Sequence, residues 1–474
     1  MATEEFDLII LGGGPVGENV ADRAVQAGLS AIIVESELVG GECSYWACMP
    51  SKALLRPAQA LRAAQRVGGA AEAVTGALDV RAVLARRDGF ASNWSDDGQV
   101  QWLNSAGIDL ARGHGRLTGE REVTVTDADG ATRVLKARHA VAISTGSDAV
   151  IPPIDGLRDA SPWTSREATS AQEVPDALAI IGGGVVAVEM ATAYASLGST
   201  VTLIARGELL GSMEPFAGER VAAGLRGLGV DLRTSTGTTS VRRDPSGVTI
   251  ALDDGSEITA NEVLVATGRR ARSDDIGLEA VGLTPGRWIQ TDDTLRVPGM
   301  DWLYAVGDVN GRALLTHQGK YQARAAGDVI AARAKGETVD AAGWGRHAAT
   351  ADHAAVPQVT FSEPEAASVG LTEHAAREAG NAVRVVDYDL GHVDGARLYE
   401  DGFEGQARLV VDTERDVILG ATFVGPGVAE LLQAATVAVV GEVPISRLWH
   451  AVPAYPTMSE VWLRLLEAYG RDSA

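Results

Sequence analysis

The chain has 474 residues, 46% of them hydrophobic, enough for roughly three domains with cores of their own. Its formal net charge of −22 excludes a nucleic-acid partner or an anionic membrane surface, because both need a basic face. No apolar run approaches the length of a bilayer span, and the N-terminus enters an apolar strand without a basic segment or cleavage site, so a cytoplasmic protein is expected.

Residues 6–11 are predicted as an apolar strand, followed by Gly12-Gly13-Gly14-Pro15-Val16-Gly17, a helical pattern to Gly28 and a second strand over residues 31–35. This is a βαβ dinucleotide fingerprint: Gly12, Gly14 and Gly17 let backbone N–H groups and a helix start approach a pyrophosphate, and Glu35 can accept from a ribose hydroxyl. Next comes Gly40-Gly41-Glu42-Cys43-Ser44-Tyr45-Trp46-Ala47-Cys48-Met49-Pro50-Ser51-Lys52, which holds the only two cysteines of the chain and one of its four lysines. Two thiols in one Gly-rich turn, in a compartment that keeps structural disulfides reduced, point to redox chemistry. A zinc site lacks further ligands, since no Cys or His cluster follows at the required spacing.

The fingerprint recurs. Residues 177–181 are predicted as a strand, Gly182, Gly184 and Ala187 mark a second phosphate turn, and residues 201–205 form its second strand. The position of the ribose-binding acid is Ala205, followed by Arg206, which can pair with a 2′-phosphate and so favours NADPH over NADH. Both halves continue into an Asp-Gly hairpin and a strand ending in a Thr-Gly turn: residues 123–126, Asp129-Gly130 and 140–146, then 248–252, Asp254-Gly255 and 263–268. From about residue 350, runs at 384–389, 407–411 and 420–424 with an apolar helix at 429–440 are predicted as a third, α+β domain.

Over essentially its whole length the sequence resembles the flavoprotein disulfide reductases related to glutathione reductase, dihydrolipoamide dehydrogenase and mercuric reductase. The matching segments are Gly12–Gly17, Gly40–Lys52, Ser144-Thr145-Gly146, Gly182–Glu189, Ala266-Thr267-Gly268-Arg269, Tyr304–Asp308, Pro357–Glu365 and Tyr455–Glu460. The resemblance implies an α/β fold with two Rossmann-like dinucleotide-binding domains, for FAD (residues 1–150 and 273–346) and NAD(P) (151–272), and a C-terminal α+β dimerisation domain (347–474). It also implies that Asp308 holds the FAD ribityl chain, that Leu315 and Thr316 approach the flavin ring, and that the turn at His114-Gly115 contacts the adenine. Thr145, Gly146 and Gly268 count among the cofactor-binding positions. Lys52 falls at the lysine beside flavin N5 and Glu189 at its ion-pair partner. Electrons would pass from NADPH (or NADH) through FAD to Cys43 and Cys48, Cys48 facing the flavin and Cys43 exchanging with a small-molecule acceptor in a homodimer.

Three positions depart from the family pattern. The usual catalytic histidine, supplied by the second subunit and paired with Glu460, is Tyr455; this moves the acid/base from a pKa near 6.5 to one near 10. His450, five residues earlier, is a candidate substitute. Between the cysteines, Tyr45 and Trp46 are bulky and would either pack or stack on a planar acceptor. The leading expectation is a disulfide-type acceptor. The alternatives are a quinone or metal-ion reductase, and a dihydrolipoamide dehydrogenase-like subunit docked to a larger complex. A mercury-delivering cysteine pair near the C-terminus is lacking, and no metal site is expected.

Overall fold

The structure is a computed structural model that describes residues 3–471. It divides into two units, one made of the segments up to Pro50, Asp88–Val150 and Arg269–Asp352, the other of Ser51–Arg87, Ile151–Gly268 and His353 onward.

The first unit is built on a seven-stranded sheet. Strand β1 (Thr3–Leu11) leads through helix α1 (Pro15–Gln26) to β2 (Ala31–Glu35); the redox segment follows as α2 (Gly41–Tyr45) and the start of α3 (Cys48–Gln65). Then come β3 (Asp109–Arg112), β4 (His114–Gly119), β5 (Glu122–Thr126) and β6 (Thr132–Ile143), giving the order β3-β2-β1-β6-β5-β4, with Leu303–Ala305 also on β6. β1, β2, β3 and β6 run parallel, which buries both faces and explains the unbroken apolar run Leu8-Ile9-Ile10-Leu11. Leu8, Ile10 and Ile33 enter one core and Ile9, Leu11, Ile32 and Val34 the other, as alternation along a strand requires. On the first side α1 lies against the helix Thr316–Ala334, where a Cβ on Gly319 would come within 2.5 Å of Val16 and Arg23 pairs with Asp328.

His114 and Gly115, which the resemblance places in a turn, lie in the extended strand β4 paired with β5. The turn is one residue earlier, at Gly113 with φ +139°, and Gly115 packs so closely on Leu11 and Val34 that a Cβ there would come within 2.7 Å.

In the second unit a four-stranded parallel sheet takes the order Asp231–Arg233, Thr200–Ile204, Ala177–Ile181, Glu262–Val265. The hairpin halves are not identical. β6 is one 12-residue strand, whereas its counterpart breaks at Asn261 into Glu257–Ala260, on a three-stranded antiparallel sheet, and Glu262–Val265. The C-terminal part is a five-stranded antiparallel sheet from Gln358–Thr360 to Val383–Asp389, covered by the helices Leu432–Val440 and Val461–Tyr469. Arg408 on this sheet pairs with Glu214 of the nucleotide-fold helix region at 3.0 Å and with Asp387 at 2.9 Å. Phe423, fully buried against Trp462, is central to that core. Phe423→Ala is expected to cost about 3–5 kcal/mol, read as a lower urea midpoint of the C-terminal core's fluorescence transition.

Candidate active site

Both fingerprint turns are built alike. Gly12 (φ +102°) and Gly17 close the first: a Cβ on Gly12 would meet the Ser144 carbonyl at 2.4 Å and one on Gly17 the Gly12 carbonyl at 2.0 Å. Gly14 then caps α1 with no side-chain hydrogen bond, and Gly184 likewise starts the helix Val185–Ser196, so the first N–H groups are left for an anion. A Cβ placed on Gly146, Gly184 or Gly268 would meet nothing within 4 Å, so open space borders the backbone there. At Gly182 the Ala266 carbonyl lies 2.2 Å from the Cβ position, and Ala187, at the third-glycine place, is fully buried.

The acid of the first turn is in place. Glu35 Oε2 accepts from the Gly13 N–H at 2.7 Å and Oε1 from the Glu37 N–H at 2.7 Å. In the second turn Gly183 faces Ala205 as Gly13 faces Glu35, with a buried methyl where the carboxylate would be. Arg206, just beyond, is exposed and makes no ion pair among the described residues.

Also in the first unit, Asp308 accepts from the Ser147 hydroxyl at 2.6 Å, and burial pushes its carboxyl above the usual range. Arg269 donates to the same hydroxyl at 2.6 Å, while Thr145 donates to the Arg272 carbonyl at 2.6 Å. Leu315, in extended backbone, caps the helix that Thr316 begins. An acid at a helix start, a ribose-ready carboxylate and the uncapped anion cradle at Gly14 are the set that an extended dinucleotide such as FAD requires, and the residues present fit it.

Cys43 and Cys48 are both thiols here, half-buried in the redox turn. Cys48 Sγ lies 3.3 Å from Thr316 Oγ1. The Cys43 thiol is raised above its ordinary value by its hydrogen bond to Cys48 and by burial, while Thr316 and Lys320 pull it down. Tyr45 resolves one alternative: its ring is buried and its hydroxyl donates to the Val39 carbonyl at 2.9 Å, so it packs and offers no stacking face. Trp46 stays half-buried, edge-on to Tyr45 at 5.6 Å.

In the second unit Lys52, one turn along α3 from Cys48, meets Glu189 at 2.7 Å across 137 positions. Glu189 is almost wholly buried; its other oxygen accepts from the Phe361 N–H at 3.0 Å, and the ammonium also lies 4.9 Å from the Phe361 ring. Such a pair holds a cation at a fixed point.

The expected Tyr455–Glu460 dyad is not formed. Tyr455 is exposed and its hydroxyl donates to Asp394 at 3.3 Å; that carboxylate, first, holds its pKa above the usual phenol value. Glu460 is buried and taken by Arg464 at 2.5 Å, and its Oε2 has no hydrogen-bond partner among the described residues. His450 is exposed and does not replace the tyrosine at Glu460. Tyr455 instead borders a cavity of about 690 Å³ with Asp394, Arg397, Leu398 and Phe403.

Comparison with known proteins decides what these turns belong to. Residues 6–334 match the model of the pyridine nucleotide-disulphide oxidoreductases and residues 356–466 that of their dimerisation domain. The chain belongs to the pyridine nucleotide-disulphide oxidoreductase family. It is 34% identical over 484 residues to a dihydrolipoyl dehydrogenase of Thermus scotoductus, covering 99% of this chain and 98% of that one. It is 32% identical over 477 residues to a mercuric reductase of Streptomyces lividans, covering 99% and 97%. The flavoprotein disulfide reductase RclA from Escherichia coli has the same fold, with a TM-score of 0.84 at 23% identity over 98% of this chain and 99% of that one. Members of this pyridine nucleotide-disulphide oxidoreductase family are FAD-dependent enzymes that use NAD(P)H, and the chain is one of them. No helix among the described residues is long and apolar enough to cross a membrane. Gly17→Ala, which forces a Cβ onto the Gly12 carbonyl, is expected to give protein that purifies with little flavin, measured as the visible-to-280 nm absorbance ratio.

Proposed function

We propose that this enzyme is a homodimeric NAD(P)H oxidoreductase that passes electrons through FAD to the Cys43–Cys48 pair and on to an acceptor presenting a carbonyl oxygen, a quinone-type molecule. FAD, when bound, supplies the two-electron carrier between nicotinamide and thiols. Gly12, Gly14, Gly17, Glu35, Gly115, Thr145, Gly146, Asp308, Leu315 and Thr316 would hold it. Gly182, Gly184, Ala187, Arg206 and Gly268 would hold the nicotinamide nucleotide, with NADPH preferred. Lys52, fixed by Glu189, would place its positive charge where hydride transfer builds up negative charge.

The observation that carries the choice of acceptor is the broken Tyr455–Glu460 dyad. A phenol whose pKa is raised by a neighbouring carboxylate keeps its proton near neutral pH. It can donate a hydrogen bond to an acceptor oxygen but cannot serve as the base that thiol–disulfide exchange draws on, a contribution of ~100- to 10,000-fold in such catalysis. The second reading is a disulfide acceptor, supported by the intact thiol pair and by the dihydrolipoyl dehydrogenases among the relatives.

A single assay across quinones, disulfides and metal ions tests the assignment. Quinones should turn over at least about 100-fold faster in kcat/KM than any disulfide, the size of one acid/base contribution; a disulfide that outpaces every quinone sinks the quinone reading. Anaerobic reduction by one equivalent of NADPH should raise long-wavelength thiolate-to-flavin absorbance, and a wild type with full flavin that lacks it excludes the thiol relay. Arg206→Glu should lower kcat/KM for NADPH by about tenfold or more, corresponding to ~1.4 kcal/mol, and spare NADH. An unchanged preference removes Arg206 from the nucleotide site.

A further inference from the structure

In a chain of net charge −22, a place where arginines gather around a cavity needs a physical reason. The first unit holds one: a cavity of about 320 Å³ lined by Arg121, Arg138, Arg296 and Arg333, with Asp301 as its single acid. Arg138 is engaged by Asp7 at 2.7 Å, and Arg296 by Asp301 at 2.8 Å and Asp292 at 3.5 Å. Arg333 meets no carboxylate among the described residues; its Nη1 donates to the Tyr304 hydroxyl at 3.1 Å. Its position in the last turn of the helix Thr316–Ala334 suits the helix dipole, but the dipole does not call for a bond to a phenol. Tyr304 borders the cavity and is 1% exposed. Burial raises its phenol above the usual range, so the hydroxyl keeps its proton, and no acceptor among the described residues takes it. Arg121 stands in the two-residue turn between β4 and β5 with φ +57°, the left-handed region that favours glycine. The Ala137 N–H pins that turn by donating to the Arg121 carbonyl at 2.8 Å. Arg121 lies 3.7 Å from Glu120, beyond hydrogen-bond reach, and its Nε is buried with no hydrogen-bond partner among the described residues.

We propose that this cavity binds a small phosphorylated molecule, its phosphate held by the guanidinium groups of Arg333 and Arg121 and by the Tyr304 O–H. Arginine forks match phosphate oxygens, and a phosphate brings three acceptor oxygens and about −1.5 to −2 charge at pH 7. A single carboxylate brings one charge against two guanidinium groups that no close carboxylate engages. The acids at the rim compete weakly: the side chains of Asp301 and Glu120 are 88% and 67% exposed, so solvent and salt screen them. The volume lies at the low end of the ~300–1,000 Å³ typical of ligand pockets, which limits the occupant to a small molecule. The site is separate from the flavin cradle. Ala140 on the cavity wall precedes Ser144 by four residues of β6 and its end, ~13 Å at about 3.3 Å per strand residue. It is also independent of which acceptor the thiols reduce.

Calorimetric titration of flavin-loaded holoenzyme with pyrophosphate, at fixed ionic strength and with or without saturating NADP+, reads the site. Wild type should bind one pyrophosphate per chain, and NADP+ should leave that binding in place. Binding that NADP+ abolishes belongs to the nucleotide turn at Gly184 and overturns the assignment. Arg333→Met and Arg121→Gly should each raise the dissociation constant at least about tenfold, the scale of one charge-assisted hydrogen bond. Arg121→Gly has a second readout of opposite sign. Glycine adopts φ +57° without strain, so the variant should keep or raise its thermal midpoint while losing affinity, which separates a lost ligand contact from a damaged fold. Wild type without saturable binding, unchanged affinity in both variants, or succinate binding more tightly than pyrophosphate overturns the proposal. Should Arg333→Met fail to fold, Arg121→Gly decides alone, and an unchanged dissociation constant there overturns it.

Discussion

A phosphate-binding helix start works only if its backbone is left bare. That constraint explains much of what is unusual in the local chemistry of this chain. Most helices that begin inside a protein take a Ser, Thr, Asp or Asn cap, as the helix Ser165–Ser170 does with Thr164 and Glu167. At Gly14 and Gly184 no side chain caps the helix, so the turn must be closed by backbone alone. Closure by backbone demands the close approaches at Gly12, Gly17 and Gly182, which no other residue tolerates. It also hands the Gly13 N–H to Glu35 in the first turn and leaves only a methyl, Ala205, in the second. One geometry is thus built twice, and the two turns differ in whether a carboxylate or a methyl faces the second glycine.

Charge is the second organising quantity. At a net charge of −22 any anionic intermediate in this protein is formed against the field of the molecule as a whole. Positive charge therefore has to be placed locally and held there. Lys52 is held by an almost fully buried Glu189, which is itself held by the Phe361 N–H. One of the four lysines is thus engaged by a buried acid, while pairs such as Arg133–Glu4 and Arg233–Asp231 are exposed and of the kind worth little to stability.

Much of the fold was legible in the sequence because its signals are local. The βαβ fingerprints, the Asp-Gly hairpins and the apolar runs each fix their own backbone, and the observed elements Ala31–Glu35 and Ala177–Ile181 lie where the residue pattern places them. What was not legible depends on partners distant in sequence. Tyr45 could be assigned to packing only once the Val39 carbonyl was seen to receive its hydroxyl. The break at Asn261 separates two sheets that a continuous apolar pattern does not distinguish. Glu18 reads in the sequence as a first-turn acid of α1, favourable to the helix dipole, yet its side chain is buried. An acid on the inner face of a helix otherwise lined by Val and Ala was the one available signal.

The Tyr455 region shows why a single substitution is not read in isolation. Replacing a histidine by tyrosine beside an unchanged Glu460 would leave a buried carboxylate facing a phenol, a poor match once the imidazolium is gone. Here Arg464, four residues along the same chain, supplies the missing cation to Glu460, and Tyr455 turns to Asp394. The Glu460 carboxylate is paired with a guanidinium that cannot give up its proton. The guanidinium thus fixes the charge of Glu460 within its own helix, while the Tyr455 hydroxyl is held by a different carboxylate. One exchange of side chain at position 455 is therefore matched by a rearrangement of two carboxylates, Glu460 and Asp394, and only the pattern of partners shows it.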